Sequence, residues 1–133
     1  MIKICRYCRK EFEIKLLHLT RGINSKAYCS KECIFKKRKE ERQSRKALIL
    51  QHYGGNCACC GEDRIEFLTL DHVNNDGKKH REELGGSSGA LYSWIIKNNF
   101  PLEPKLQVLC WNCQEAKAHY EICPHKRVVN SDV

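Results

Sequence analysis

The sequence predicts a small α+β protein in which bound metal, rather than a large apolar core, holds short elements together. Three observations predict it. Eight of the ten cysteines fall in knuckle-like pairs: Cys5-x2-Cys8, Cys29-x3-Cys33, Cys57-x2-Cys60 and Cys110-x2-Cys113. Such pairs present two thiolates to one centre, which suits a tetrahedral Zn²⁺. Two short apolar runs, 67–70 and 106–110, read as strands, and the stretch from Phe35 to His52 reads as a helix without a break. At 133 residues the chain has room for one modest core or two small metal-assisted ones.

Residues 1–35 read as a separate zinc-finger-like knuckle with Cys5, Cys8, Cys29 and Cys33 as ligands. Phe12, Glu13 and Ile14, with Leu16 and Leu17, can supply a short hairpin and a few core contacts. Ser30 is the expected N-cap of a helix that opens at Lys31-Glu32-Cys33. A unit of this size buries too little apolar surface to fold unaided, so metal ligation must supply the stability.

Residues 36–52 read as a basic helix or linker. Lys36 to Lys46 holds seven basic and two acidic residues with no Gly or Pro. Arg38, Arg42, Arg45 and Lys46 fall on one side at helical spacing, a stripe able to follow a phosphate backbone. The plain alternative is a solvated helix whose charges only keep it soluble. Gly54-Gly55 ends the helix.

Residues 53–125 read as the second metal-stapled domain, with Cys57, Cys60, Cys110 and Cys113 as zinc ligands. The first strand is expected at Phe67–Leu70 and the second at Leu106–Cys110, where Leu106, Val108 and Cys110 share a face. A helix over 90–96 carries a core stripe of Leu91, Trp94 and Ile95, stopped by Asn98-Asn99-Phe100-Pro101. Asn74-Asn75-Asp76-Gly77 is a turn sequence, 77–83 reads as a charged loop, and 85–89 as a flexible connector. A last helix opens at Gln114-Glu115-Ala116-Lys117, and 126–133 reads as a tail.

The charge is +8 with a pI near 9.0, the electrostatic footprint of a nucleic-acid binder. No run approaches the roughly 18 apolar residues of a membrane span. Met1-Ile2-Lys3-Ile4-Cys5 has no apolar core of an export signal, so the expectation is zinc in a reducing cytoplasm rather than disulfides.

The residues from about 53 to 125 resemble the HNH endonucleases, in particular the four-cysteine zinc branch often encoded in bacteriophage genomes. The resemblance rests on Tyr53-Gly54-Gly55, Cys57, Cys60, Asp71-His72, Asn74-Asn75-Asp76-Gly77, the segment 106–113 and Lys117, in that order. It implies a ββα-metal, treble-clef-like core and hydrolysis of DNA to a 5′ phosphate and a 3′ hydroxyl, with a monomer nicking one strand. The implied cofactors are two structural Zn²⁺ and a catalytic Mg²⁺ or Mn²⁺. The implied partners are DNA and phage packaging proteins, in the host cytoplasm, with the chain a monomer or weak dimer. The N-terminal knuckle looks like a treble-clef finger.

Within that frame His72 is the expected general base, since neutral imidazole can take a proton from water. Asp71 supplies a hard oxygen to the divalent ion. On an ideal strand the two would point to opposite faces, so the chain is expected to leave strand geometry there. The family's second ligand, His or Asn after the second knuckle, stands here as Gln114, with His119 a poorer substitute. Its orienting Asn is replaced by Lys105, leaving Asn74, Asn75, Asn98 and Asn99 as candidates. His80 and Arg81 either reach a phosphate, with His80 joining the catalytic group, or belong to an ordinary charged loop; Lys117 is expected to clamp a phosphate. Cys59 and Cys123 read as packing thiols, with Cys123-Pro124-His125 a partial third metal site as the alternative. The rival function is a non-catalytic zinc-finger DNA-binding regulator, which accounts for the charge and cysteines but leaves Asp71-His72 without a purpose.

Overall fold

The computed structural model describes residues 1–14, 27–87, 89–120 and 122–126. Leu16 and Leu17 of the N-terminal knuckle, Ser88 of the connector and the tail from 127 lie outside them. The protein is a small α+β chain whose described residues form four helices and two antiparallel two-stranded sheets. It divides into two compact units, Met1–Ser44 and Arg45–Val133.

In the first unit β1 (Ile2–Ile4) pairs with β2 (Glu11–Glu13), Lys3 opposite Phe12. Arg9 takes a φ of 63° in the turn between them, and the N–H of Cys5 donates to the carbonyl of Lys10 at 2.8 Å. Helix α1 (Lys31–His52) starts after Ser30, whose hydroxyl accepts from the N–H of Cys33 at 3.2 Å, the expected cap. Only Cys5, Ile14 and Cys33 are buried among the described residues here, so sulfur makes up most of the core.

The second unit is built on β3 (Leu68–His72) and β4 (Leu106–Cys110), paired from Leu68↔Cys110 to His72↔Leu106. The second strand has the expected bounds. The first does not: Asp71 and His72 stay inside the ladder, opposite Gln107 and Leu106, rather than leaving strand geometry. The turn sequence acts only afterwards, with Asn75 at φ 58° and its N–H donating to the His72 carbonyl at 3.1 Å. The charged stretch read as a loop forms helix α2 (Gly77–Glu83), because it holds no proline and the turn delivers it with Asp76 at the cap position.

Helix α3 (Ala90–Lys97) buries Ile95 completely and packs Leu91 and Trp94 against the core, with Asn99 and Phe100 at positive φ beyond its end. Helix α4 (Trp111–His119) begins directly after β4, three residues before Gln114, capped by the Cys110 sulfur accepting from the Cys113 N–H. The last turns of α1 add Ile49 and Leu50 to the core formed by Leu68, Leu70 and Val108. Gly55, at φ 77°, returns its N–H to the Leu50 carbonyl at 2.8 Å and so ends α1.

Candidate functional site

Two cysteine sets have the geometry of metal centres. The sulfurs of Cys5, Cys8, Cys29 and Cys33 lie within 4.8 Å of one another, as do those of Cys57, Cys60, Cys110 and Cys113. Neighbouring sulfurs stand 3.5 Å apart at Cys8–Cys29, 3.6 Å at Cys29–Cys33 and 3.7 Å at Cys60–Cys110. A tetrahedral zinc with sulfurs at about 2.3 Å has edges of about 3.8 Å, so either set could hold one ion. In each set one sulfur is readied as a thiolate. Burial opposes ionisation of Cys5 and Cys57, but surrounding backbone N–H groups outweigh it and bring both to about 6. The Cys57–Cys60 knuckle is tied to the sheet by the Ala58 N–H, which donates to the Val108 carbonyl at 2.8 Å.

The sheet holds Asp71 and His72 at consecutive ladder positions, where strand alternation turns their side chains to opposite faces. His72 is 6% exposed, and its Nε2 lies 2.9 Å from Nδ1 of His80, which α2 brings back one turn after Asp76. One nitrogen of that pair must donate and the other accept. The His80 ring meets His72 and Trp94 edge-on, with centroids at 5.2 and 4.5 Å. On its other side, Nδ1 of His72 faces Gly77, where a Cβ would stand only 2.9 Å away. Burial, reinforced by His80, lowers the His72 pKa from its ordinary 6.5, while Asp76 and Asp71 pull the other way. Burial thus favours the neutral ring.

Asp71, also buried, accepts at Oδ2 from Lys117 Nζ at 2.6 Å and from Gln107 Nε2 at 2.9 Å. Lys117 further donates to the His72 carbonyl at 2.7 Å. Lys117, expected as a phosphate clamp, is thus committed to the carboxylate, because one and a half turns of α4 carry it over the strand pair. Oδ1 carries no protein hydrogen bond among the described residues.

Asp71, His72, Asn75, Lys78, Arg81 and Gln114 line one open cleft of about 240 Å³, so Gln114 does reach the neighbourhood of Asp71. His119 points elsewhere, exposed and 3.3 Å from Glu115. The side chain that hydrogen-bonds the His72 ring is His80, not one of the four asparagines. Asn98 instead donates to the Trp94 carbonyl, and Lys105 contributes its carbonyl, which accepts from the Val73 N–H at 3.0 Å. Lys78 is not distinguishable within its charged run by sequence; the folding of that run as α2 places it on the cleft.

Along α1, Arg38 and Arg42 are exposed. Arg45 and Lys46 are half-buried, and the Arg45 guanidinium donates to Ser93 Oγ at 3.3 Å.

No protein-family model, curated protein or solved structure matches this chain. No described helix is long and apolar enough to cross a membrane.

Proposed function

We propose that the chain is a metal-dependent endonuclease of the HNH type, with a ββα-metal core formed by β3, β4 and α4, that hydrolyses DNA phosphodiester bonds. One observation carries the reading: a buried His72, hydrogen-bonded to His80, in a cleft that Asp71, Gln114, Lys78 and Arg81 also line. The reading requires the tautomer in which His72 Nε2–H donates across the 2.9 Å contact to His80 Nδ1, which leaves Nδ1 of His72 to take a proton from the attacking water. His80 is a positioning residue here, and Gly77 leaves the room that Nδ1 needs. Arg81 and Lys78 bind the scissile phosphate and offset charge on its oxygens.

The free Oδ1 of Asp71 and the amide oxygen of Gln114 are hard oxygen donors that suit Mg²⁺ or Mn²⁺. A divalent ion bound there would supply Lewis-acid stabilisation of the leaving 3′ oxygen. The two cysteine sets would hold structural zinc, and the exposed Arg38 and Arg42 would contact DNA outside the cleft.

One observation favours the rival, a non-catalytic zinc-finger DNA-binding regulator: Lys117 already neutralises the carboxylate that a metal would use. Supercoiled plasmid incubated with Mg²⁺ or Mn²⁺ separates the two. The endonuclease reading expects nicked circles with 5′ phosphates, abolished by chelation; plasmid bound but uncut under both ions would leave the regulator.

A further inference from the structure

We propose that Cys59, Cys113, Cys123 and His125 bind an additional zinc ion, and that Cys113 bridges it to the zinc of Cys57, Cys60 and Cys110. The pair forms one dinuclear cluster. The ligand atoms of the four residues all lie within 4.8 Å of one another. Cys113 Sγ is 3.2 Å from His125 Nδ1 and 3.9 Å from Cys123 Sγ, and Cys123 Sγ is 3.4 Å from the same nitrogen. Zinc with sulfur at about 2.3 Å and nitrogen at about 2.1 Å gives tetrahedral edges of about 3.8 and 3.6 Å. The contacts straddle those values, and a disulfide's roughly 2.0 Å is far away.

The ligand count closes only with a bridge. Two tetrahedral ions need eight ligand positions, and seven side chains gather here: Cys57, Cys60 and Cys110 on one side, Cys59, Cys123 and His125 on the other, and Cys113 within reach of both. A thiolate has lone pairs enough to bind two ions, and sharing Cys113 gives each zinc four ligands. Cys59 sits inside the first knuckle without competing for its metal. The tight turn there, in which the Gly61 N–H donates to the Cys57 carbonyl at 2.9 Å, leaves Cys59 in the second set only.

The C-terminal segment supplies an independent argument. Ile122 is 56% exposed and the turn Pro124–Lys126 buries nothing, yet Cys123 is buried in the core. No strand pairs with 122–126, and the segment's backbone bond among the described residues, Lys126 N–H to the Cys123 carbonyl, is internal to it. A metal joining Cys123 and His125 to Cys59 and Cys113 supplies the missing attachment. Four protein ligands leave no open position, so the ion is structural, and its binding releases the thiol protons.

The test is metal content of the full chain by native mass spectrometry, independent of any nuclease activity. Three zinc ions per chain are expected, one for the first unit and two for the second. Cys123→Ser and His125→Ala should each lower the count to two while retaining the parent's helical circular dichroism. His125 is exposed, so its variant keeps the test usable if Cys123→Ser does not fold. With cadmium in place of zinc, two of the three metal resonances should show scalar coupling through the shared sulfur. Two zinc ions in the parent, or three in His125→Ala, would overturn the extra site; three uncoupled cadmium resonances would overturn the bridge.

Discussion

Gly77→Ala should disable the chemistry while leaving the fold nearly untouched. A Cβ at Gly77 would stand 2.9 Å from His72 Nδ1 and 3.3 Å from its Cγ, where ordinary contact begins at 3.4 Å. The ring must therefore retreat by about half an ångström, and it is held from behind by His80 and by burial. Turning it off its rotamer costs about 0.5–1.5 kcal/mol. Gly77 is the first residue of α2, where alanine returns less than the roughly 0.5–1 kcal/mol of a helix interior, so net stability should fall by no more than about 1.5 kcal/mol. The base fares worse, since an ångström of misplacement can cost about a hundredfold in rate. The expected result is a 10–100-fold slower single-turnover nicking rate at saturating Mg²⁺, with a thermal midpoint lowered only modestly. Lys79→Ala, on the exposed side of the same helix, is the control and should cut within about twofold of the parent. A Gly77→Ala protein that nicks like the parent would refute the placement of the reactive nitrogen.

Four more outcomes follow from the same geometry. Because burial depresses the His72 pKa below 6.5, the neutral ring should persist above that pH, and nicking should fall only in more acidic buffer. Its contribution to stability has the same sign: present above the unfolded value and lost as pH falls through the lower folded value, measurable by denaturant titration from pH 7 to 5. Lys117→Met removes the ammonium at 2.6 Å from Asp71 and should lower the Mg²⁺ needed for half-maximal cleavage by about 3–10-fold, discounted for partial exposure. Unchanged or weaker Mg²⁺ dependence would mean that Asp71 is not a ligand. Replacing both Arg38 and Arg42 by Gln should reduce the slope of log K for DNA against log salt by about 1.8, and an unchanged slope would make them solvated charges only.

How far the sequence could be read depended on the range of the interaction. Alternation placed β4, and Ser30 and Gly55 marked the ends of α1, because local side-chain and backbone chemistry decides those features. Helix α2 carries no sequence signal because Gly77–Glu83 has no apolar stripe; it is held by the turn before it and by His80 packing on His72 and Trp94. Asp71 and His72 could be named as a pair but not oriented, since the ladder with Gln107 and Leu106 keeps them in strand geometry. The Lys117–Asp71 contact needed the register of β3 on β4 and the start of α4 together, and neither is written locally. Cys59, Cys123 and His125 were legible as metal-binding residue types. Their convergence on Cys113 depends on the path of 122–126, which no periodicity announces.

The central claim is that His72 is the base of a phosphodiester hydrolase, and the most direct measurement compares the parent with His72→Ala on supercoiled plasmid in Mg²⁺ or Mn²⁺, with DNA affinity measured alongside. Nicking by the parent and a loss of about 10²–10⁴ in rate for the variant, at nearly unchanged affinity, are expected. A His72→Ala protein that cuts as fast as the parent would contradict it.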